Sequence, residues 1–180
     1  MRILTFGHGT ADAERMTHLL RGAGVQRLVD VRTAPGSRRN PAASRTAMSE
    51  WLPHAGIAYR WDARLGGWRT AQAHGPDTAL RHQSFRGYAE HMRSVEFREA
   101  IEELLADAEI GNTAVMCAES VWWRCHRKLI ADFLVLVKNV EVYHLMHDGS
   151  VQAHRRSPEA RLSPDQQSLI YDAGQSPLHS

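Results

Sequence analysis

Short apolar runs and helical stripes alternate along most of the chain. Residues 2–6, 28–31, 57–61, 113–116 and 140–146 have the length and composition of buried strands. Between them, apolar residues recur three and four apart. Met16, Leu19 and Leu20 follow Asp12, a capping residue type, and Gly22 and Gly24 close that helix. Residues 44–54 form a second helical stretch with Met48, Trp51 and Leu52. A third opens at Ser84 and runs through Tyr88 and Met92. Ser94 then caps a helix whose stripe is Phe97, Ile101, Leu104, Leu105 and Ala108. A last helix is predicted from about Arg124, with Leu129, Ile130, Phe133, Leu134 and Val137 facing inward. Residues 33–41 and 65–84 read as connections.

Strands alternating with helices predict an α/β fold: a mainly parallel sheet flanked by helices, in a Rossmann-like three-layer single domain. Residues 1–153 make up this domain. Residues 154–180 are rich in Ser, Pro and Gln and are expected to be a polar C-terminal tail packing loosely on it, with Leu169-Ile170-Tyr171 as the docking point. No repeat or linker divides the chain.

Composition changes this picture in three places. The formal charge is only +2, but the cations are almost all arginine; Lys128 and Lys138 are the only lysines. Arginine suits phosphate binding and base stacking, although a GC-rich genome produces the same bias. No apolar run approaches the roughly 20 residues of a membrane span, and the N-terminus reads as a strand rather than a leader, so a cytoplasmic protein without membrane contact is expected. The two cysteines, Cys117 and Cys125, are more in keeping with a catalytic, redox or metal-binding pair than with a structural disulfide.

Ligands of parallel α/β sheets bind at the carboxyl ends of the strands. Three predicted strand ends carry polar groups here: Gly7-His8-Gly9-Thr10, Asp30-Val31-Arg32 and Cys117-Ala118-Glu119. The first is either a loop that cradles an anion or a tight turn in which His8 bonds to backbone. Asp30 and Arg32 point to one side of an extended strand end, as a structural ion pair or as an anion-binding arginine oriented by its carboxylate. Ser37, Arg38, Arg39 and Arg45 follow in a loop stiffened by Pro35 and Pro41, a plausible phosphate contact.

The segment from Cys117 to Arg127 holds the densest chemistry. Trp122 and Trp123 would be costly to expose without a ligand. Arg124, Arg127 and Lys128 sit at a predicted helix N-terminus, where the helix dipole disfavours cations, so Glu119 or a bound anion should compensate them. Spacing and bulky tryptophans depart from the strand–loop–helix phosphatase pattern. Zinc could use Cys117, Cys125 and His126 with His8 or Glu119, but the spacing fits no standard module. A redox pair lacks the Cys-x-x-Cys form.

These residues together resemble the bacterial and archaeal family called domain of unknown function 488. The likeness rests on Gly7-His8-Gly9-Thr10, Leu28 to Arg32 with Pro35, Ser37, Arg38 and Pro41, Leu65-Gly66-Gly67, Phe85, Tyr88, Met92, Met116-Cys117-Ala118-Glu119, Cys125-His126-Arg127 and Ile130-Ala131-Asp132. It spans roughly residues 2 to 150. One departure is Ala42-Ala43, where the family pattern carries an aromatic after the proline. The resemblance implies no assigned activity; a loose DNA-repair label attaches to some members.

Three expectations follow. The first is a protein directed at DNA, a nucleotide or a damaged base, as an enzyme of hydrolase, glycosylase-like type. Glu119, Asp30, Cys117 and His8 are its catalytic candidates, and Arg32, Arg38, Arg39, Arg124, Arg127, Trp122, Trp123 and His126 its ligand-binding ones. The second is a thiol-dependent enzyme using Cys117 on a small anion. The third is a non-catalytic module binding a metal or a partner. No cofactor is expected, while a metal at Cys117, Cys125 and His126 stays open. The oligomeric state is not legible.

Overall fold

A computed structural model describes residues 1–174. Its central sheet has six strands in the order β3-β2-β4-β1-β5-β6. These are β1 (Arg2–Gly7), β2 (Arg27–Asp30), β3 (Ala58–Trp61), β4 (Thr113–Cys117), β5 (Glu141–Leu145) and β6 (Val151–Ala153). The first five are parallel, and β6 pairs antiparallel with β5 at the edge. The helices are α1 (Ala13–Gly22), α2 (Arg45–His54), α3 (Gln83–His91), α4 (Val95–Ile110) and α5 (Arg127–Leu136). This is the three-layer α/β arrangement that the alternating pattern predicts.

The pleat assigns the two faces. Leu4, Phe6, Leu28, Ala114 and Met116 pack with Met16, Leu19 and Leu20 of α1 and Met48 and Leu52 of α2. Their strand neighbours Ile3, Val29, Val115 and Cys117 pack on the other face with Tyr88, Phe97, Ile101, Leu104, Leu129 and Phe133 from α3, α4 and α5. Asp12, Ser44 and Ser94 cap α1, α2 and α4 by accepting from backbone N–H groups three residues on, at 2.8, 3.2 and 3.1 Å. None of the described helices is long and apolar enough to cross a membrane.

Two expectations are corrected. The last helix starts at Arg127, not near Arg124. Trp122–Arg124 form a separate 3-10 turn, and Cys125 is extended, which interrupts the helical run. The stretch after His154 is not loosely packed either. It folds into a hairpin of β7 (Ala160–Leu162) and β8 (Leu169–Tyr171), with Leu169 and Tyr171 wholly buried. Buried polar anchors hold it: the Tyr171 hydroxyl donates to Asp132 at 2.9 Å, and Asp132 also accepts from the Ser157 backbone and hydroxyl. A Ser- and Gln-rich sequence hides this, because the docking residues are few and their partners lie far away in the chain. Residues 175–180 of the expected tail lie outside the described residues.

Candidate strand-end site

The register places Gly7 of β1 beside Cys117 of β4, and Met116 beside Asp30 of β2. The strand ends carrying His8, Arg32 and Cys117 are therefore neighbours. Beyond the strands, the His8 and Gly9 amides donate to Cys117 O and Ala118 O at 3.0 and 2.9 Å, and the Ala11 amide donates to His8 O. These N–H groups are occupied, so the segment is a tight turn and not an anion cradle. Close approach requires the glycine: a Cβ on Gly7 would stand 1.9 Å from Glu119 O.

Asp30 and Arg32 form a buried bidentate pair, with Nε and Nη2 of Arg32 at 2.8 and 2.6 Å from the carboxylate. The Tyr59 hydroxyl donates to the same carboxylate at 2.6 Å. Burial and the Asp30 charge push the Tyr59 pKa up. Asp30 lines no cavity and its oxygens are engaged, so it orients Arg32 rather than facing a ligand. Arg32 Nη1 lies 3.2 Å from His8 Nε2, while His8 Nδ1 lies 2.9 Å from Gly9 O. Those neighbours select the neutral tautomer with the proton on Nδ1. Burial, assisted by the nearby Arg32 and Arg127 charges, lowers the His8 pKa.

His8 and Arg32 line a cavity of about 200 Å³ with Thr33, Ser37, Trp68 and Ala118. Trp68 is 78% exposed. Arg38 and Arg39 are exposed on the loop that borders it. Asn40, not singled out from sequence, pins that loop: its amide nitrogen donates to Ala11 O at 2.7 Å. A larger cavity of about 650 Å³ is lined by Arg81, Phe85, Glu119, Trp123, Arg124 and Lys128, among others. Ala118 and Glu119, consecutive in the chain, thus each line one of the two cavities. Trp122 and Trp123 separate in role: Trp123 is 50% exposed, whereas Trp122 stacks on His144 with 4.0 Å between ring centroids. The Trp122 ring face is therefore not free for a ligand.

Cys117 and Cys125 line neither cavity. Both are buried, with their sulfurs 2.6 Å apart. Tetrahedral zinc with sulfurs at about 2.3 Å would hold two thiolates about 3.8 Å apart, so this pair does not fit a metal chelate. Among the described residues no group of three or more His, Cys, Asp or Glu side chains is arranged to hold a metal. His126 also turns away from the cavities: Nε2 donates to Val31 O at 2.9 Å, and Nδ1 lies 3.5 Å from Cys125 Sγ.

Arg127 is only 1% exposed and has no carboxylate among the ion pairs of the described residues. The acidic partner expected at this helix N-terminus is not Glu119, whose side chain accepts from Val121 N; it is the Glu119 carbonyl that accepts from Arg127. A relay runs from Arg127 across the sheet. Nη1 is 3.3 Å from Thr5 Oγ1, Thr5 Oγ1 is 2.6 Å from His144 Nδ1, His144 Nε2 is 2.9 Å from His154 Nδ1, and His154 Nε2 is 2.8 Å from Asp132. One consistent direction satisfies every group: Arg127 donates to Thr5, Thr5 to His144, His144 to His154, and His154 to Asp132. Burial, with the Arg127 charge, pushes the His144 pKa down to about 3, which keeps this ring neutral.

The family described as domain of unknown function DUF488 matches residues 12–134. That span covers most of the chain, from the cap of α1 through α5. The chain belongs to the DUF488 family. Neither the curated proteins nor the solved structures contain a match.

Several of the residues on which the resemblance to the family rests have a physical reason. The Tyr88 hydroxyl donates to Leu65 O at 2.8 Å, holding the Leu65-Gly66-Gly67 bend against α3. A Cβ on Gly66 would reach Thr33 Oγ1 at 2.5 Å, and one on Gly67 would reach His126 Nδ1 at 2.6 Å. The two glycines thus let this bend close over the loop after β2 and over the Cys-His-Arg segment. Asp132 anchors both the relay and the C-terminal hairpin. Thr5, His144, His154 and Asp132 were not legible as a network, because single His and Thr residues on strands carry no spacing signal.

Proposed function

We propose that the protein binds a nucleobase-bearing ligand, a nucleotide or an unpaired base of DNA, at its strand ends. One observation carries the reading. Among the described Trp, Tyr and Phe residues, only Trp68 and Trp123 are exposed, and each lines one of the two strand-end cavities. An exposed indole has a hydration penalty that a stacked base removes. The cations around them suit the attached phosphates: Arg81, Arg124 and Lys128 in the larger cavity, Arg32 in the smaller, Arg38 and Arg39 nearby.

The chemistry that suits this surface is hydrolysis of a base–sugar bond. Glu119, exposed in the larger cavity that Glu159 also lines, is a carboxylate placed to take a proton from water or to face a developing sugar cation. His8, held neutral in the smaller cavity, becomes a second base when a ligand anion draws Arg32 away from its Nε2. Asp30 supports Arg32 and has no direct role in this scheme.

Fluorescence anisotropy with labelled single-stranded and duplex DNA, intact, abasic or alkylated, tests the reading, with a mononucleotide as the short-ligand arm. Binding to single strands is expected at low salt, weakening with a log–log slope of about −0.7 per phosphate neutralised. Trp68→Ala and Trp123→Ala should each weaken it by about 1–3 kcal/mol, roughly fivefold to 150-fold. Absence of binding at low salt to every one of these ligands overturns it.

A further inference from the structure

The strand-end cavities leave one pair of reactive groups unused. Cys117 ends β4, and Cys125 follows the 3-10 turn in an extended conformation that returns its sulfur to the first. The two sulfurs are 2.6 Å apart across eight residues of chain. Beside them lies Arg127, nine-tenths or more buried, with no carboxylate and with Nε lacking any partner among the described residues. A buried guanidinium favours an anion beside it, and Cys117 and Cys125 are the ionisable groups whose charge acts on Arg127.

We propose that Cys117 and Cys125 are a redox-active dithiol that a small hydroperoxide oxidises to a disulfide. Cys125 is the attacking sulfur. It is the more exposed of the two, at 6% against 2%. Although burial alone would push its pKa up, the hydrogen bond from Cys117 and the charges of His126 and Arg127 hold it below the ordinary thiol range. Burial and the facing Cys125 sulfur push Cys117 up, so Cys117 keeps its proton and donates it. Little exposure at either sulfur favours a small oxidant over a bulky disulfide, which needs in-line approach to the thiolate.

The steps balance as follows. The Cys125 thiolate attacks the terminal peroxide oxygen, the O–O bond breaks, and the leaving alkoxide or hydroxide takes up from solvent the proton that Cys125 released on ionising, leaving Cys125 as a sulfenic acid. The Cys117 sulfur then attacks the Cys125 sulfur. The S–O bond breaks, and the departing hydroxide leaves as water with the Cys117 proton. The dithiol loses two hydrogens and two electrons, and the peroxide is reduced to one alcohol or water plus one water. Neither sulfur lines a strand-end cavity, so this inference stands independently of base binding.

The experiment uses the native full chain, reduced and then exposed to hydrogen peroxide, with intact mass and differential alkylation as readouts. The expected product is lighter by two hydrogens, has both cysteines protected together, and is restored by dithiothreitol. Cys117→Ser should stop at a Cys125 sulfenic acid that dimedone traps, whereas Cys125→Ser should leave Cys117 a thiol. Arg127→Gln should slow the reaction about tenfold by lowering the thiolate fraction. Two free, alkylatable cysteines in folded native protein after peroxide treatment overturn the proposal. So does a sulfinic acid on one cysteine with the other still free. The native protein decides the matter even where a variant does not fold.

Discussion

Arg32, just after β2, and Arg127, at the start of α5, are both buried guanidiniums, yet their charges are met differently. Arg32 has a bidentate carboxylate, Asp30, two residues away on its own strand end. Its charge is matched locally, and its remaining Nη1 is presented to His8 and the smaller cavity. Arg127 donates to a carbonyl and a threonine hydroxyl, and its nearest carboxylate partner in hydrogen-bond terms is Asp132, reached through Thr5, His144 and His154. A pair in direct contact is a fixed structural unit. A charge met only through a chain of neutral dipoles still acts on what lies beside it, here two sulfurs. The first arrangement orients a donor; the second sets the reactivity of a neighbour.

Substitutions that remove one arginine at a time break this comparison most directly. Arg32→Met leaves the Asp30 carboxylate buried without its partner and should reduce unfolding stability by about 3–5 kcal/mol in urea denaturation. A much smaller loss would mean that Tyr59 alone satisfies Asp30. The relay gives a pH-dependent effect. His144 has a pKa of about 3 in the folded chain against an ordinary 6.5, so the unfolded chain takes up that proton first. Its contribution to stability is complete above about pH 6.5 and is lost as the pH falls toward 3, with a slope of up to about 1.4 kcal/mol per pH unit. His144→Gln should flatten that slope in denaturation curves taken between pH 6.5 and 4.

Arg127→Met removes a buried charge that has no carboxylate in contact, so its change in stability should stay within about 1 kcal/mol, well below that of Arg32→Met. A loss as large as that of Arg32→Met would show that the relay neutralises Arg127 as effectively as a contact pair does. Trp68→Ala and Trp123→Ala sharpen the contrast from the exposed side. They should leave stability within about 0.5 kcal/mol while weakening base-containing ligands, since neither indole is packed in the core. A stability loss well beyond this would assign these rings to packing.

Local signals made much of the fold legible. Strand-length apolar runs and the caps at Asp12 and Ser94 are properties of short windows, and both caps form as their residue types predict. The strand-end rule placed His8, Arg32 and Cys117 together because parallel strands of similar length end on one edge. Adjacent residues proved harder to assign. Trp122 and Trp123 look alike in the chain, but one is stacked on His144 and the other faces a cavity. Glu119 or a bound anion was expected to meet the cations after it; for Arg127 it is the Glu119 carbonyl, not the carboxylate, that accepts.

The sequence by itself determined the layer order, the membership in DUF488 and the strand ends where polar chemistry gathers, since these depend on hydrophobic period, capping residues and local motifs. Only the tertiary structure decided how that chemistry is divided. Two cavities lie on either side of the Ala118–Glu119 turn, a dithiol is sealed away from both, and a relay of Thr5, His144, His154 and Asp132 converges on Arg127 from strands β1 and β5, the segment after β6, and α5. Those contacts join residues separated by up to 139 positions, as between Thr5 and His144. Hydrogen-bond partners at that separation are set by sheet register and by the pleat, which turn Thr5, Cys117 and Val142 to the face opposite Phe6 and Met116, and no window along the chain carries that information.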